Sequence, residues 1–112
     1  MPPLKAIGVE MDGEMIGAAI YNNFNAGNVD LSVIATSPRA CSRRTLKTMF
    51  CYPFKVQKAH RVTAKTRESN VRAVKGLERM GFTFEGRLRD WFHGEDALIY
   101  GMLPNECKWL EN

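Results

Sequence analysis

No run in this 112-residue sequence is long and apolar enough to span a membrane. Its start has neither the basic segment nor the apolar core of a secretory signal. Cysteine is scarce and odd in number: Cys41, Cys51 and Cys107 show no ligand-like spacing. That pattern fits reduced thiols in a cytoplasm better than disulfides or a metal site. Acid is missing from the middle of the chain. Between Arg39 and Lys75 eleven Lys/Arg stand against one acid, Glu68, so the overall charge of +4 hides a local +10 between two net-negative flanks. Such a field attracts polyanions. Charge alone leaves open nucleic acid, a nucleotide cofactor, an acidic partner or no ligand.

A hydrophobic content of 45% argues against disorder, and the length allows one domain, residues 1–112, with a modest core. Residues 4–10 read as a first strand, Asp12-Gly13 as a turn and Met15 to Tyr21 as a second strand. Asn22 to Asn28 reads as a polar loop. Val29 to Ala35 makes a third strand, with Leu31, Val33 and Ala35 on one face and Asp30, Ser32 and Ile34 on the other. From Arg43 to about Phe54, Leu46, Met49, Phe50, Pro53 and Phe54 recur at helical spacing. A short strand covers His60 to Thr66. Ser69 or Asn70 can cap a second helix carrying Val71, Val74, Leu77 and Met80, with Gly81 at its end. Gly76 inside it is expected to mark close packing on the sheet. Phe82 to Leu88 is a strand in which Phe82, Phe84 and Gly86 alternate with Thr83 and Glu85. An aromatic turn over 89–96 leads to a last strand, Ala97 to Leu103, ended by Pro104. The tail packs through Trp109 and Leu110.

The start of the first helix carries a conflict. Ser42 is a plausible N-cap, yet Arg43, Arg44 and Lys47 crowd the first turns, where the helix dipole disfavours cations. A bound anion would resolve it, with backbone N–H groups and guanidinium groups converging on phosphate. A plain solvated face is the alternative. Cys41 lies in the same electropositive loop, but no His or Asp stands near it in sequence.

The run from Ser69 to Arg89, SNVRAVKGLERMGFTFEGRLR, closely resembles the C-terminal half of the GCN5-related N-acetyltransferases. It looks most like the branch that acetylates ribosomal-protein N-termini and certain antibiotics. Tyr52-Pro53-Phe54 and His60-Arg61-Val62 stand where that branch has an aromatic helix end and a His-Arg-hydrophobic strand start. The resemblance implies an α/β (α+β) fold of the acyl-CoA N-acyltransferase type. Its mixed, mainly antiparallel sheet would carry two helices and lack the family's first strand and first two helices. That shortening would bare a sheet edge and some apolar surface, and a homodimer is expected to cover the edge.

Acetyl-CoA is the implied cofactor. By resemblance, backbone groups of Val33, Ile34 and Ala35 would pair with its pantetheine arm. Its diphosphate would sit on Arg39, Ala40, Cys41, Ser42, Arg43 and Arg44, and Asn70 and Arg72 would lie beside it. Ala40 and Ser42 stand where the family's loop has glycines, whose access to positive φ is lost. Leu77 replaces a Tyr that donates a proton to the leaving thiolate in many relatives, and Ala73 replaces a Ser of the closest branch. Asp30, Glu14 and His93 are bases by residue type only, and Tyr100 reads as strand packing.

The implied function is an acetyl-CoA-dependent N-acetyltransferase acting on an amine-bearing acceptor: a protein N-terminus, a lysine or a small amine. A catalytically silent protein of the same fold, binding a macromolecule through its basic face or bare edge, is the alternative. Nucleic acid is disfavoured as a partner because aromatics do not interleave with the basic residues along the chain.

Overall fold

The computed structural model describes residues 5–35 and 41–110. Strand β1, Lys5–Met11, and strand β2, Glu14–Asn25, form a hairpin around Asp12 and Gly13, with φ of 55° and 80°. Both central residues at positive φ is what a tight primed turn needs, since its twist matches that of the strands. The expected loop over 22–28 is replaced by a second such turn. β2 runs on to Asn25, which pairs with Asn28 across Ala26 and Gly27, again both at positive φ, and β3 spans Asn28–Ala35.

Helix α1, Arg43–Cys51, is shorter than the apolar spacing predicts and passes into a π-helical turn over Tyr52–Val56. Pro53 is the reason: it has no N–H to continue the α ladder. Strand β4 covers Arg61–Arg67 and helix α2 covers Val71–Met80. Gly81 closes α2 in the left-handed region, φ 105°, where glycine carries no Cβ penalty. Gly76, expected to press against the sheet, faces open space: a Cβ there would meet nothing within 4 Å.

Strands β5, Thr83–Leu88, and β6, Ala97–Met102, complete one six-stranded sheet in the order β1-β2-β3-β4-β6-β5. Among the described residues only β3 and β4 run parallel. A bulge between Phe84 and Gly86 interrupts the alternation expected for β5. Phe82 is buried, whereas Phe84 is half exposed and meets Tyr100 edge-on, ring centroids 5.6 Å apart. The tail forms two 3₁₀ turns, Pro104–Glu106 and Lys108–Leu110, and the Trp109 indole N–H donates to the Met80 carbonyl at 2.8 Å.

Register puts Tyr21 opposite Leu31, Val29 beside Val62, and Val62 opposite Met102, so these side chains share one face. Leu46, Met49 and Phe50 of α1 and Leu77 and Met80 of α2 join them in one buried cluster. Both helices therefore cover the same face of the sheet. The other face is mixed. Towards β4–β6 it is polar, with Arg61 paired to Glu85 at 2.6 Å and Lys65 to Asp30 at 3.7 Å. Towards β1–β3, Met15 and Ile34 stay more than half exposed. Among the described residues no helix is long and apolar enough to cross a membrane.

Candidate cofactor cleft

The sheet contains its own opening. β3 and β4 pair only from Asn28 with Arg61 to Asp30 with Thr63. Beyond that point β3 stays bonded to β2 as far as Ala35, and β4 stays bonded to β6 as far as Arg67. The facing edges, 31–35 and 64–67, have parted. A cavity of about 1040 Å³ fills the gap and reaches α2, lined on the strand side by Leu31, Val33, Ile34 and Ala64.

Two helix starts frame this region. The Ser42 hydroxyl accepts from the Thr45 N–H at 3.3 Å and caps α1, and Asn70 Oδ1 accepts from the Ala73 N–H at 3.1 Å and caps α2. Of the two caps the sequence allowed for α2, Asn70 is the one used. Neither first turn holds an acidic residue; at α2 the nearby carboxylate is Glu95, which accepts from the Ser69 N–H just before the cap.

Val33, Ile34, Cys41, Asn70 and Arg72 come together on the cleft wall. Ser42 and Arg44 do not; they line a separate cavity of about 380 Å³ between α1 and β1–β3, to which Val33, Ile34 and Cys41 also contribute. Arg43 turns towards the tail, its guanidinium 5.9 Å from the Trp109 ring centre. The backbone of Ala35 pairs with Gly17. Arg39 and Ala40 lie outside the described residues.

Four basic residues absent from the sequence-based candidates also line the cleft: Lys65 and Arg67 from β4, Lys75 and Arg79 from α2. The signal was present for the helix, because 72, 75 and 79 follow the one-face spacing of three and four. No carboxylate is among the lining residues. Lys65 and Arg67 have acidic partners, Asp30 and Glu95, the latter at 3.3 Å. Arg72, Lys75 and Arg79 have none among the described residues.

Glu95 reaches the junction of β4 and α2. Hydrogen bonds from the Ser69 side chain and then its backbone N–H, with help from Arg67, hold its carboxyl below the ordinary range. The Asp90 backbone N–H, then Arg87, does the same for Asp96. These carboxylates tie the aromatic turn to the sheet. Burial raises the Tyr100 phenol, in keeping with a packing role.

The cleft wall has little acid–base chemistry. Asp30, Glu14 and His93, bases by type, do not line it, and Leu77 and Ala73 do. One sequence argument is overturned by tertiary contact. Although aromatics and cations are separate along the chain, Lys65 lies 5.2 Å from the Trp91 ring centre and Arg67 4.4 Å from that of Phe92.

No protein-family model matches the sequence, and no curated protein matches it. Solved structures do resemble it. Mutant forms of the spermidine/spermine N-acetyltransferase SpeG from Vibrio cholerae align over 91% of this chain and 68% of theirs, with a TM-score of 0.79 and 20% identity. Another SpeG variant from Vibrio cholerae gives 0.78 and 21% over 96% of this chain and 67% of its own. A structure described as a probable acetyltransferase gives 0.79 and 20% over 92% and 63%. The chain thus spans about two thirds of the length of these structures. At this identity the likeness shows the fold, the mixed α+β architecture of GCN5-related N-acetyltransferases. It lends the ribosomal-protein branch no support.

Proposed function

We propose that the chain is an acetyl-coenzyme A-dependent N-acetyltransferase whose cofactor lies in the cleft between β3 and β4. One observation carries this reading: the strands part beside Arg72, Lys75 and Arg79 of α2, which have no carboxylate partner among the described residues. In the proposed arrangement the β3 edge from Val33 to Ala35 offers main-chain groups to the pantetheine amides. Asn70 orients that arm, and Arg72 holds phosphate through charge-assisted hydrogen bonds. Bound there, the cofactor would supply an acetyl thioester for transfer to an amine nitrogen. Leu77 and Ala73 offer no proton to the leaving thiolate, so that proton and the one lost by the ammonium pass through water.

The acceptor is an amine on a protein or a small molecule. The spermidine named for SpeG is a polycation, and a carboxylate-free basic wall is unfavourable to one. We place the protein in the cytoplasm, with a homodimer covering the free edge of β1. Nucleic acid is not the ligand proposed, because the cations that lie beside the Trp91 and Phe92 rings, Lys65 and Arg67, already have carboxylate partners.

Isothermal titration with acetyl-coenzyme A tests the reading. Saturable binding is expected, weakened about tenfold or more by Arg72→Ala, with thiol release when amines are supplied. No binding at millimolar cofactor would reject it. A second reading, binding without transfer, is favoured by Leu77 and Ala73 in the cleft wall. Binding without product across protein, peptide and small-amine acceptors would select it. Sedimentation decides the dimer, and a gel-shift series across salt decides nucleic acid.

A further inference from the structure

Among the described residues the cations of β4 and β5 differ from those of the helices, since Arg43, Arg44 and Lys47 of α1 also lack a carboxylate partner. Those on the strands have internal counter-charges: Arg61 has Glu85, Lys65 has Asp30, Arg67 has Glu95, and Arg87 has Glu68 and Asp96. Those on α2 do not. Arg72, Lys75 and Arg79 form a row on the cleft side, with no carboxylate partner among the described residues. Glu78, the one acid of that helix, is absent from the cleft wall and acts instead on Tyr100. Like charges at this spacing repel one another by a few tenths of a kcal/mol per pair, and an anion seated beside the row would relieve that repulsion.

Its length narrows the choice. At 1.5 Å of rise per residue, Lys75 and Arg79 lie about 4.5 and 10 Å along the axis from Arg72. A ligand with a single anionic group would occupy one end only. Coenzyme A carries a diphosphate and, on the same nucleotide, a 3′-monophosphate. We infer that Lys75 and Arg79 bind the 3′-phosphate, so that the protein discriminates coenzyme A from 3′-dephospho-coenzyme A. This rests on the cleft being the coenzyme A site.

Calorimetric titration of the whole chain with both compounds is the test. Dephospho-coenzyme A should bind about tenfold or more weakly, the scale of a charge-assisted phosphate contact, and the gap should narrow as salt screens it. In Lys75→Ala/Arg79→Ala the gap should close to within about threefold, through loss of coenzyme A affinity alone. Lys55→Ala, on the π-helical turn, should leave it intact. Both altered side chains are exposed, and circular dichroism checks that the variant remains folded. Equal affinities in the unaltered protein would overturn the inference and leave the proposed function standing. A gap that survives the double substitution would also overturn it. Failure of both compounds to bind at millimolar concentration would remove the inference and the function together.

Discussion

Tyr21 reaches from β2 to donate its phenolic hydrogen to the main-chain carbonyl of Met49 in α1, at 2.5 Å and in a buried setting. The regular helical donor to that carbonyl would be the N–H of residue 53, which is a proline. Tyr21 supplies the hydrogen bond that the helix cannot. Burial, then the neighbouring Tyr52 and Cys51, pushes its phenol well above the ordinary value, so the donor stays protonated.

Tyr21→Phe should therefore destabilise the fold. The change keeps the ring and leaves a buried carbonyl without its donor, at a cost of about 1–3 kcal/mol. Urea unfolding at neutral pH measures it. A loss well below this range would mean another group serves Met49.

Asn70 allows stability and binding to be separated. Asn70→Ala removes the cap on the Ala73 N–H and should cost about 1 kcal/mol in urea unfolding. Asn70→Asp keeps a capping oxygen, so stability should hold. Its negative charge at the cleft should still weaken coenzyme A binding in calorimetry. Unchanged affinity in the Asp variant would place the phosphates away from this helix start.

Gly81 sits at φ 105° between α2 and β5. A side chain there pays the left-handed penalty of about 1–2 kcal/mol, although the nearest atoms, at 3.7 Å, leave room for a Cβ. Gly81→Ala should lower the thermal midpoint without altering the affinity of the cleft. An unchanged midpoint would show that the C-terminal turn of α2 relaxes freely.

Acid should loosen the turn over 89–96. The carboxyls of Glu95 and Asp96 are held below their ordinary values of 4.5 and 3.8. A carboxyl depressed on folding contributes stability that is complete above the unfolded value and is lost as pH falls through the folded one. Urea midpoints should therefore drop as pH is lowered through that range, and Glu95→Gln should flatten part of the slope. An unaltered slope in that variant would assign the acid sensitivity elsewhere.

Much of the architecture was legible because its signals are local. Asp12-Gly13 marked a hairpin, Ser42 and Asn70 marked helix starts, and Gly81 marked a helix end, each through backbone preferences within a few residues. The misreadings came where a missing donor, a tight turn or a bulge broke the regular pattern. Pro53 converted the expected end of α1 into a π turn. The Asn25–Asn28 pair drew a polar segment into β2 and β3, and the bulge at β5 redirected Phe84.

The cleft divides in the same way. Asn70 and Arg72 were readable from the resemblance, whereas Lys65, Arg67, Lys75 and Arg79 became part of it only when β4 and α2 came together. The sequence by itself determined the order of elements, the concentration of positive charge and the loss of Tyr and Ser at Leu77 and Ala73. Only the tertiary structure decided that β3 and β4 separate after Asp30 and Thr63, and that Lys65 and Arg67 pair with carboxylates while Arg72, Lys75 and Arg79 do not. The reason is that strand pairing and charge pairing are settled between residues some thirty positions apart, beyond the reach of any local pattern.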